Sequence, residues 1–577
     1  MAVVLRFGPP DQGIPFRLNT RYTQENNTLS GGPMRQLLLA LSLVLALLSG
    51  CSDDKKTATP HDAVPSDCAG ASCDTQDVID LSRMDLEDVA PPPPLAACAP
   101  LEPVAHLDPV EVVGDGSAAS CDEGSLRAAV DAINQEHGGT IAFDCGGEHT
   151  ITLTSALFLD AGSSTEATPI LIDGGGVITL SGGGTTRILD LEHYTQLLIQ
   201  SITLREGFVA DEADGDPADS GAAIRHPWYG TLHAIDVRFE DNHCQSMEGE
   251  IGGGAVFAGG LSDAVFSGCV FVGNSASNGG GLQNRGSNLT LINSVFQGNG
   301  ALSVGDGQFG NGGGVYIDGM NYDDPGDLTV CGTIFRENTA MTHGSGMFSY
   351  FYPGSNSTIE LSVFDGNRFG NPAAGSGGLY HEAAPLTLRN TTLSNHVTGE
   401  HAGGLFLGSG STATITNCTF ANNRVVSNGA GIFNGAASAD LINCTFTGND
   451  ADYGPAIFKG QNAAMTLTNT VFANNTTANQ YSATSCHEPM GDGGGNLQWP
   501  ANKNNGNPDP PCVDGITFAD PVLQPLADNG GTGQTSALGA GSAAIDFGTG
   551  VGCPETDQRG MPRVGACDSG AFEFQGE

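Results

Sequence analysis

Between residues 239 and 475 apolar and polar positions follow one recurring phrase. A cluster of glycines or other small residues leads into an apolar residue, then a strand-length stretch, then a Phe-x-x-Asn pair, as in "GGGLQNRGSNLTLINSVFQGN" (279–299). The pair falls at Phe239–Asn242, Phe271–Asn274, Phe296–Asn299, Phe335–Asn338 and Phe364–Asn367. It continues at Phe420–Asn423, Phe446–Asn449 and Phe472–Asn475, with a degenerate Leu393–His396 between. The steps between leading residues are 32, 25, 39, 29, 29, 27, 26 and 26. A period of this size marks stacked repeats. Each copy is too short for a βαβ unit and lacks a 3.6-residue apolar period, so it predicts two or three short strands joined by tight turns, one coil of a parallel β-helix.

Alternation turns each Phe inward together with the residue two before it. That residue is always small from the second copy onward: Cys269, Ser294, Thr333, Ser362, Thr391, Cys418, Cys444, Thr470. A ring beside a small neighbour in every coil predicts a core built as a ladder. The asparagines are expected to bond along the coil axis, and Asn also tolerates left-handed turns. Weaker coils begin at "HTITLTSALFLD" (149–160), "TPILIDGGGVITL" (168–180) and "TQLLIQSITLREG" (195–207). Residues 146–480 then make about a dozen coils, a rod of roughly 55–60 Å at the usual strand spacing. Stacked coils need a lid over the apolar end. "GSLRAAVDAINQEHGG" (124–139) predicts one: a helix with Ser125 as N-cap and Leu126, Val130 and Ile133 on one face.

Composition agrees with strands and turns. Of 577 residues 84 are Gly, and only 15% are charged, against ~25% in typical soluble domains. Lysine stands only at Lys55, Lys56, Lys459 and Lys503. A net charge of −43 excludes nucleic acid as a partner, because its binders need a basic face. No cofactor is implied, and calcium is the one ion such acidity could attract.

Ahead of the coils, "MRQLLLALSLVLALLSGCSDD" from Met34 has a basic residue, a short apolar run and a small-residue step before Cys51. This is the layout of an export signal, and "LLSGC" resembles the lipobox of bacterial lipoproteins. The resemblance implies that Cys51 becomes the acylated first residue of a membrane-anchored chain in the bacterial envelope, outer membrane or cell surface. Residues 1–33 then read as a mis-called start, 34–50 as the signal, and the Asp/Pro-rich stretch 51–118, with Pro91–Pro94, as a disordered tether.

Fifteen cysteines less Cys51 leave an even fourteen, which in an exported chain favours disulfides. Nearest-neighbour pairing gives Cys68–Cys73, Cys121–Cys145, Cys486–Cys512 and Cys553–Cys567. Cys418 and Cys444 share one coil position, so they are either a disulfide between coils or buried thiols. No zinc-type spacing occurs, and His243–Cys244 has no matching motif.

Three further resemblances meet here. The repeat is similar to that of chlamydial polymorphic outer membrane proteins over roughly 220–476. "CDEGSLRAAVDAIN" resembles the CSLREA segment of bacterial surface proteins, within a cap at 119–145; it departs at Gly124 and Ala128. The tail "PLADNGGTGQTSALGAGSAAIDFG…CPETDQRGMPRVGACDSGAFEF", within 481–577, resembles the choice-of-anchor Q domain. Together they imply an all-β, right-handed parallel β-helix of the pectate-lyase-like kind with a short N-terminal capping helix. They also imply display on a bacterial cell surface. The long flat faces of the rod, with residues in register, suit glycans or surface proteins, so the expected role is an adhesive or structural scaffold.

The competing expectation is a polysaccharide lyase or glycoside hydrolase, which needs clustered carboxylates. The acidic insertions "DEADGDPADS" (211–220) and "NYDDPGD" (321–327) are the candidates, the first with Asp211, Asp214 and Asp216 near Arg225 and His226. Trp228 and Trp499 are the only tryptophans, which leaves few of the aromatic faces that glycan binding favours.

Overall fold

The computed structural model describes residues 98–576 apart from 163–167, 212–216, 247–250, 304–308, 320–325 and 372–374. Cys51, Cys68, Cys73, the signal and most of the tether lie outside the described residues. The chain is a right-handed parallel β-helix of about 12 turns.

One coil shows how the repeat becomes structure. Leu282–Arg285, Leu289–Ile292, Val295–Gln297 and Gly300–Ala301 follow one another around the coil. Each pairs in parallel with the matching strand of the next coil, so the coils build four ladders, numbered 1 to 4 in that order. Ladder 1 has 11 strands, ladder 4 has 8, and ladders 2 and 3 together form a 26-stranded sheet. The corner between ladders 2 and 3 needs a left-handed residue, supplied by Asn293, Asn390, Asn417, Asn443 and Asn469 with φ of 46–52°. The asparagine of the Phe-x-x-Asn pair is not the left-handed one. That conformation belongs to the residue before it, such as Gly298, Gly366, Asn422 or Asn474.

The Phe column fills the interior. Phe239, Phe271, Phe296, Phe335 and Phe364 stack with centroids 4.4, 4.4, 5.2 and 4.5 Å apart. Leu393 takes the next place, and Phe420, Phe446 and Phe472 resume at 4.7 and 5.2 Å. All nine are fully buried. The asparagines form a second column, each Nδ2 donating to Oδ1 one coil on, at 2.9 Å from Asn242 through Asn367. The same Nδ2 donates to a carbonyl one coil back, as Asn299 does to Phe271 (2.9 Å). The amides of this column are thus bonded to their neighbours, which offsets the penalty of burying them.

The lid forms at Glu123–Glu136 (α1). Its N-cap is Asp122 rather than the expected Ser125. The Asp122 carboxylate accepts the Ser125 N–H (2.8 Å) while Ser125 Oγ accepts the Asp122 N–H (3.2 Å), a capping box. Leu126, Ala129, Val130 and Ile133 are buried over the first coils.

The expected limits of 146–480 are too narrow, because parallel pairing needs no repeat spelling. It starts at Val110–Val113, which pairs with Gly139–Phe143, and ends at Thr517–Phe518. The tether expectation also fails for residues 98–118. Residues 98–109 run along the outer corner of ladder 2 as a strap. Leu107 N–H donates to Thr140 Oγ1 (2.6 Å), Val104 N–H to Gln200 Oε1 (2.8 Å) and Leu101 N–H to Ser267 Oγ (2.9 Å). The Cys98 carbonyl accepts from Asn293 Nδ2 (2.8 Å), and Cys98 is disulfide-bonded to Cys331. Backbone bonds to successive coils hold the strap where its composition suggested a free chain.

Residues 519–576 fold back over the same flank further along. Gln534 and Gln558 meet Thr392, Thr556 meets Asn417, and Ala571 meets Thr445. Two ion pairs with fully buried carboxylates fix this tail, Arg559–Asp557 (2.7 Å) and Arg563–Glu573 (2.9 Å).

Candidate binding face

Ladder 1 places two residues of each strand inward, and the one between them points out. From Val315–Asp318 onward that outward residue is aromatic: Tyr316, Phe348, Tyr380, Phe406, Phe433 and Phe458, in continuous register. Successive centroids lie 5.2, 4.8, 4.3, 5.1 and 5.0 Å apart, and His487 closes the row 4.3 Å from Phe458. His343 stacks on Tyr380 (5.0 Å) and His401 on Phe433 (4.6 Å). Burial pushes His343 down to about 4 and lowers His401, so both are neutral at pH 7. Most of the row is half-buried, and the rings cover one another's faces, so rims meet solvent. The result is a straight apolar ridge with an acid at its margin, Glu382, which accepts from Tyr380 Oη (2.7 Å).

The signal was in the sequence, one place after the residue that fixes the core: "GVYID", "GMFSY", "GLYHE", "GLFLG", "GIFNG", "AIFKG". Attention to tryptophan and to inward positions passes over it. Trp228 lies against Gly260, half-buried, and Trp499 is half-buried on ladder 3.

Further toward the N-terminus the same outward column carries Asp190 and Arg225, joined at 2.7 Å. Arg187 also reaches Asp190 (3.5 Å) and ties down the end of the first acidic insertion through the carbonyls of Gly221 (3.0 Å) and Ser220 (3.1 Å). Among the described residues Arg225 and His226 do not share the expected groove, because they lie on opposite faces of one strand. His226 faces inward, wholly buried, with Nε2 2.7 Å from the Thr195 carbonyl, and burial pushes it down to about 4. Asp211 is exposed; Asp214 and Asp216 lie outside the described residues. In the second insertion Asp327 is a turn link, accepting the Asn356 N–H (2.7 Å) and donating to Asn288 Oδ1 (2.9 Å).

Among the described residues no three His, Cys, Asp or Glu side chains are grouped to hold a metal ion, and no helix is long and apolar enough to cross a bilayer. Disulfides join Cys121–Cys145, Cys486–Cys512 and Cys553–Cys567, besides Cys98–Cys331. The last spans 233 residues, beyond the reach of nearest-neighbour pairing. Cys418 and Cys444 are buried thiols, not a disulfide, as are Cys244 and Cys269. Burial pushes the Cys444 thiol up to about 12, so it serves as a small core residue. His243 bonds Ser275 through Nδ1 (2.7 Å).

A family described as a right handed beta helix region matches residues 308–477. No curated protein matches the chain. Among solved structures, the A-module of the mannuronan C-5 epimerase AlgE6 of Azotobacter vinelandii is similar at 14% identity and a TM-score of 0.29, over 67% of this chain and 97% of that one.

Proposed function

We propose that the chain is a surface-displayed interaction scaffold, adhesive or structural, whose contact face is the aromatic row of ladder 1. One observation carries this. Among the described residues the strap and the tail both bond to ladders 2 and 3, and neither makes a hydrogen bond to the ladder 1 strands from Met347 to Lys459. The aromatic outer column is therefore one that the strap and the tail leave alone, and ordered apolar strips on a surface mark partner sites. Rims rather than ring faces favour a protein surface over a flat-stacked sugar. The signal and "LLSGC" support attachment through lipidated Cys51 in the bacterial envelope. The polymorphic outer membrane protein-type repeat, the CSLREA-like cap and the choice-of-anchor Q-like tail support the same placement.

The test uses residues 52–577, wild type and Phe406→Ser/Phe433→Ser, on immobilised envelope proteins and on neutral and acidic polysaccharides, with calcium and with chelator. Retention of intact wild type on a protein surface and its loss in the variant is the expected result. New reducing ends or unsaturated products would replace this reading with a polysaccharide-cleaving enzyme.

A further inference from the structure

The turn from ladder 1 to ladder 2 takes a left-handed residue in several coils. Gly260 and Gly286 supply it in two successive ones, with φ of 57° and 65°, donating to the carbonyls of Arg285 and Asp318 in the coils that follow. The two coils before them put Tyr194 (φ 68°) and Tyr229 (φ 55°) in the same conformation, bonded to the carbonyls of Trp228 and Gly260 (both 3.1 Å). A bulky side chain is disfavoured there, so the turn itself does not ask for tyrosine. Nor does the core, since Tyr229 is 55% exposed. The two rings stack with centroids 4.9 Å apart, 13° from parallel. Tyr194 takes one face of Tyr229, and among the described residues no other ring stacks on it. Trp228, one of only two tryptophans, lies against Gly260, where a Cβ would strike its ring. Backbone strain kept at a surface is a mark of ligand sites.

We propose that this corner is a glycan-binding site, separate from the aromatic row, that takes a neutral oligosaccharide. The electron-rich face of an aromatic ring attracts polarised C–H bonds, and one side of a pyranose ring presents a row of them. The aromatic row of ladder 1 offers rims, whereas this corner offers a face. Hydroxyl partners stand close by. Asp190 and Arg225, joined at 2.7 Å, each lie four residues ahead of a tyrosine of the pair, at most ~13 Å along the chain. A carboxylate beside a guanidinium presents acceptors and donors together, which suits neighbouring hydroxyls. Charge sets the class of sugar. The net charge of −43 repels uronate and sulfated chains, and Asp190 already answers the Arg225 guanidinium.

Calorimetric titration of residues 52–577, disulfides intact, tests this with cellohexaose, maltohexaose and mannohexaose, and with hexagalacturonate as the acidic control. At least one neutral hexasaccharide is expected to bind, at least tenfold more tightly than hexagalacturonate. Tyr194→Asn/Tyr229→Asn is expected to weaken that binding at least tenfold. Asn tolerates the left-handed turn, so the melting temperature of this variant should stay within about 3 °C of wild type. Phe406→Ser/Phe433→Ser should bind the sugar as wild type does. No binding of any neutral hexasaccharide would overturn the proposal, as would equal binding of hexagalacturonate or binding that survives in the tyrosine variant. A larger fall in its melting temperature, or failure to fold, would make the tyrosines structural and overturn it too. Weakened binding in the phenylalanine variant would move the sugar to the aromatic row, with the same consequence.

Discussion

Asn367 donates from Nδ2 to His396 Nε2 at 3.2 Å, and His396 Nδ1 stands 2.8 Å from Asn423 Oδ1. The amide column runs one way, each Nδ2 toward the next Oδ1, so this site needs an acceptor facing Asn367 and a donor facing Asn423. A neutral imidazole protonated on Nδ1 supplies both. The copy whose spelling is degenerate therefore keeps the column intact. An imidazolium would set a second N–H against the Asn367 amide, and burial independently pushes His396 down to about 4.

His396→Asn restores the repeat's own residue and is expected to hold stability within about 1 kcal/mol of wild type. His396→Leu leaves the Asn423 oxygen and one Asn367 proton without this partner in the core, for a loss of about 2–4 kcal/mol. Urea unfolding of the two variants checks the difference; equal losses would mean the column contributes nothing directional.

Acid should loosen the rod before it reaches ordinary carboxylate titration. Burial pushes His226, His381 and His396 from 6.5 to about 4 in the folded chain. Because the folded value is depressed, the stabilisation is complete above pH 6.5 and is lost as pH falls through the window to about 4, where only the unfolded chain takes up the proton. The loss is on the order of 3 kcal/mol per histidine at the acid end. The urea midpoint should fall across that window, with a shallower fall in His396→Asn. A flat midpoint between pH 7 and 4.5 would contradict it.

Phe335 sits between Phe296 and Phe364 in the stacked column. Phe335→Ala should cost about 3–5 kcal/mol through the cavity it leaves. Phe335→Leu should cost about 1 kcal/mol, because Leu393 already fills one place in this column. Denaturant midpoints of the pair separate a packing role from a mere requirement for an apolar residue.

On the outer row the balance is reversed. Phe406 and Phe433 are half-buried, so Phe406→Ser/Phe433→Ser should cost about 1–3 kcal/mol in total and abolish retention on a partner surface. Melting temperature and retention, measured on the same preparation, distinguish this from general unfolding.

The coils were legible because every one must match its neighbour, so Phe, Asn and glycine recur at fixed offsets. Cys98 and Cys331 were not, because nothing local to either sequence says that they meet. The strap was misread for a related reason. "LEPVAHLDPV" has the composition of a tether, and it is held by backbone bonds to Thr140, Gln200 and Ser267, which composition does not encode. At the candidate face, Arg225 and His226 are adjacent in sequence but on opposite sides of one strand, one paired to Asp190 and one in the core. Alternation along "IRH" already separated them.

Cys98–Cys331 closes a loop of 233 residues, worth about 5 kcal/mol in chain entropy. Cys98→Ser should therefore lower stability by up to that amount and open the strap to cleavage at Asp108 by an Asp-specific protease, with peptides around Phe446 still protected.

The position of that bond matters mechanically as well. Cys331 lies mid-way between the first ladder 2 rung at Val110–Val113 and the last at Gly491–Asp492. Whatever grips the N-terminus holds this rod by its waist, as a balance beam is held. A pull is carried across a covalent bond at mid-ladder instead of peeling the first coil.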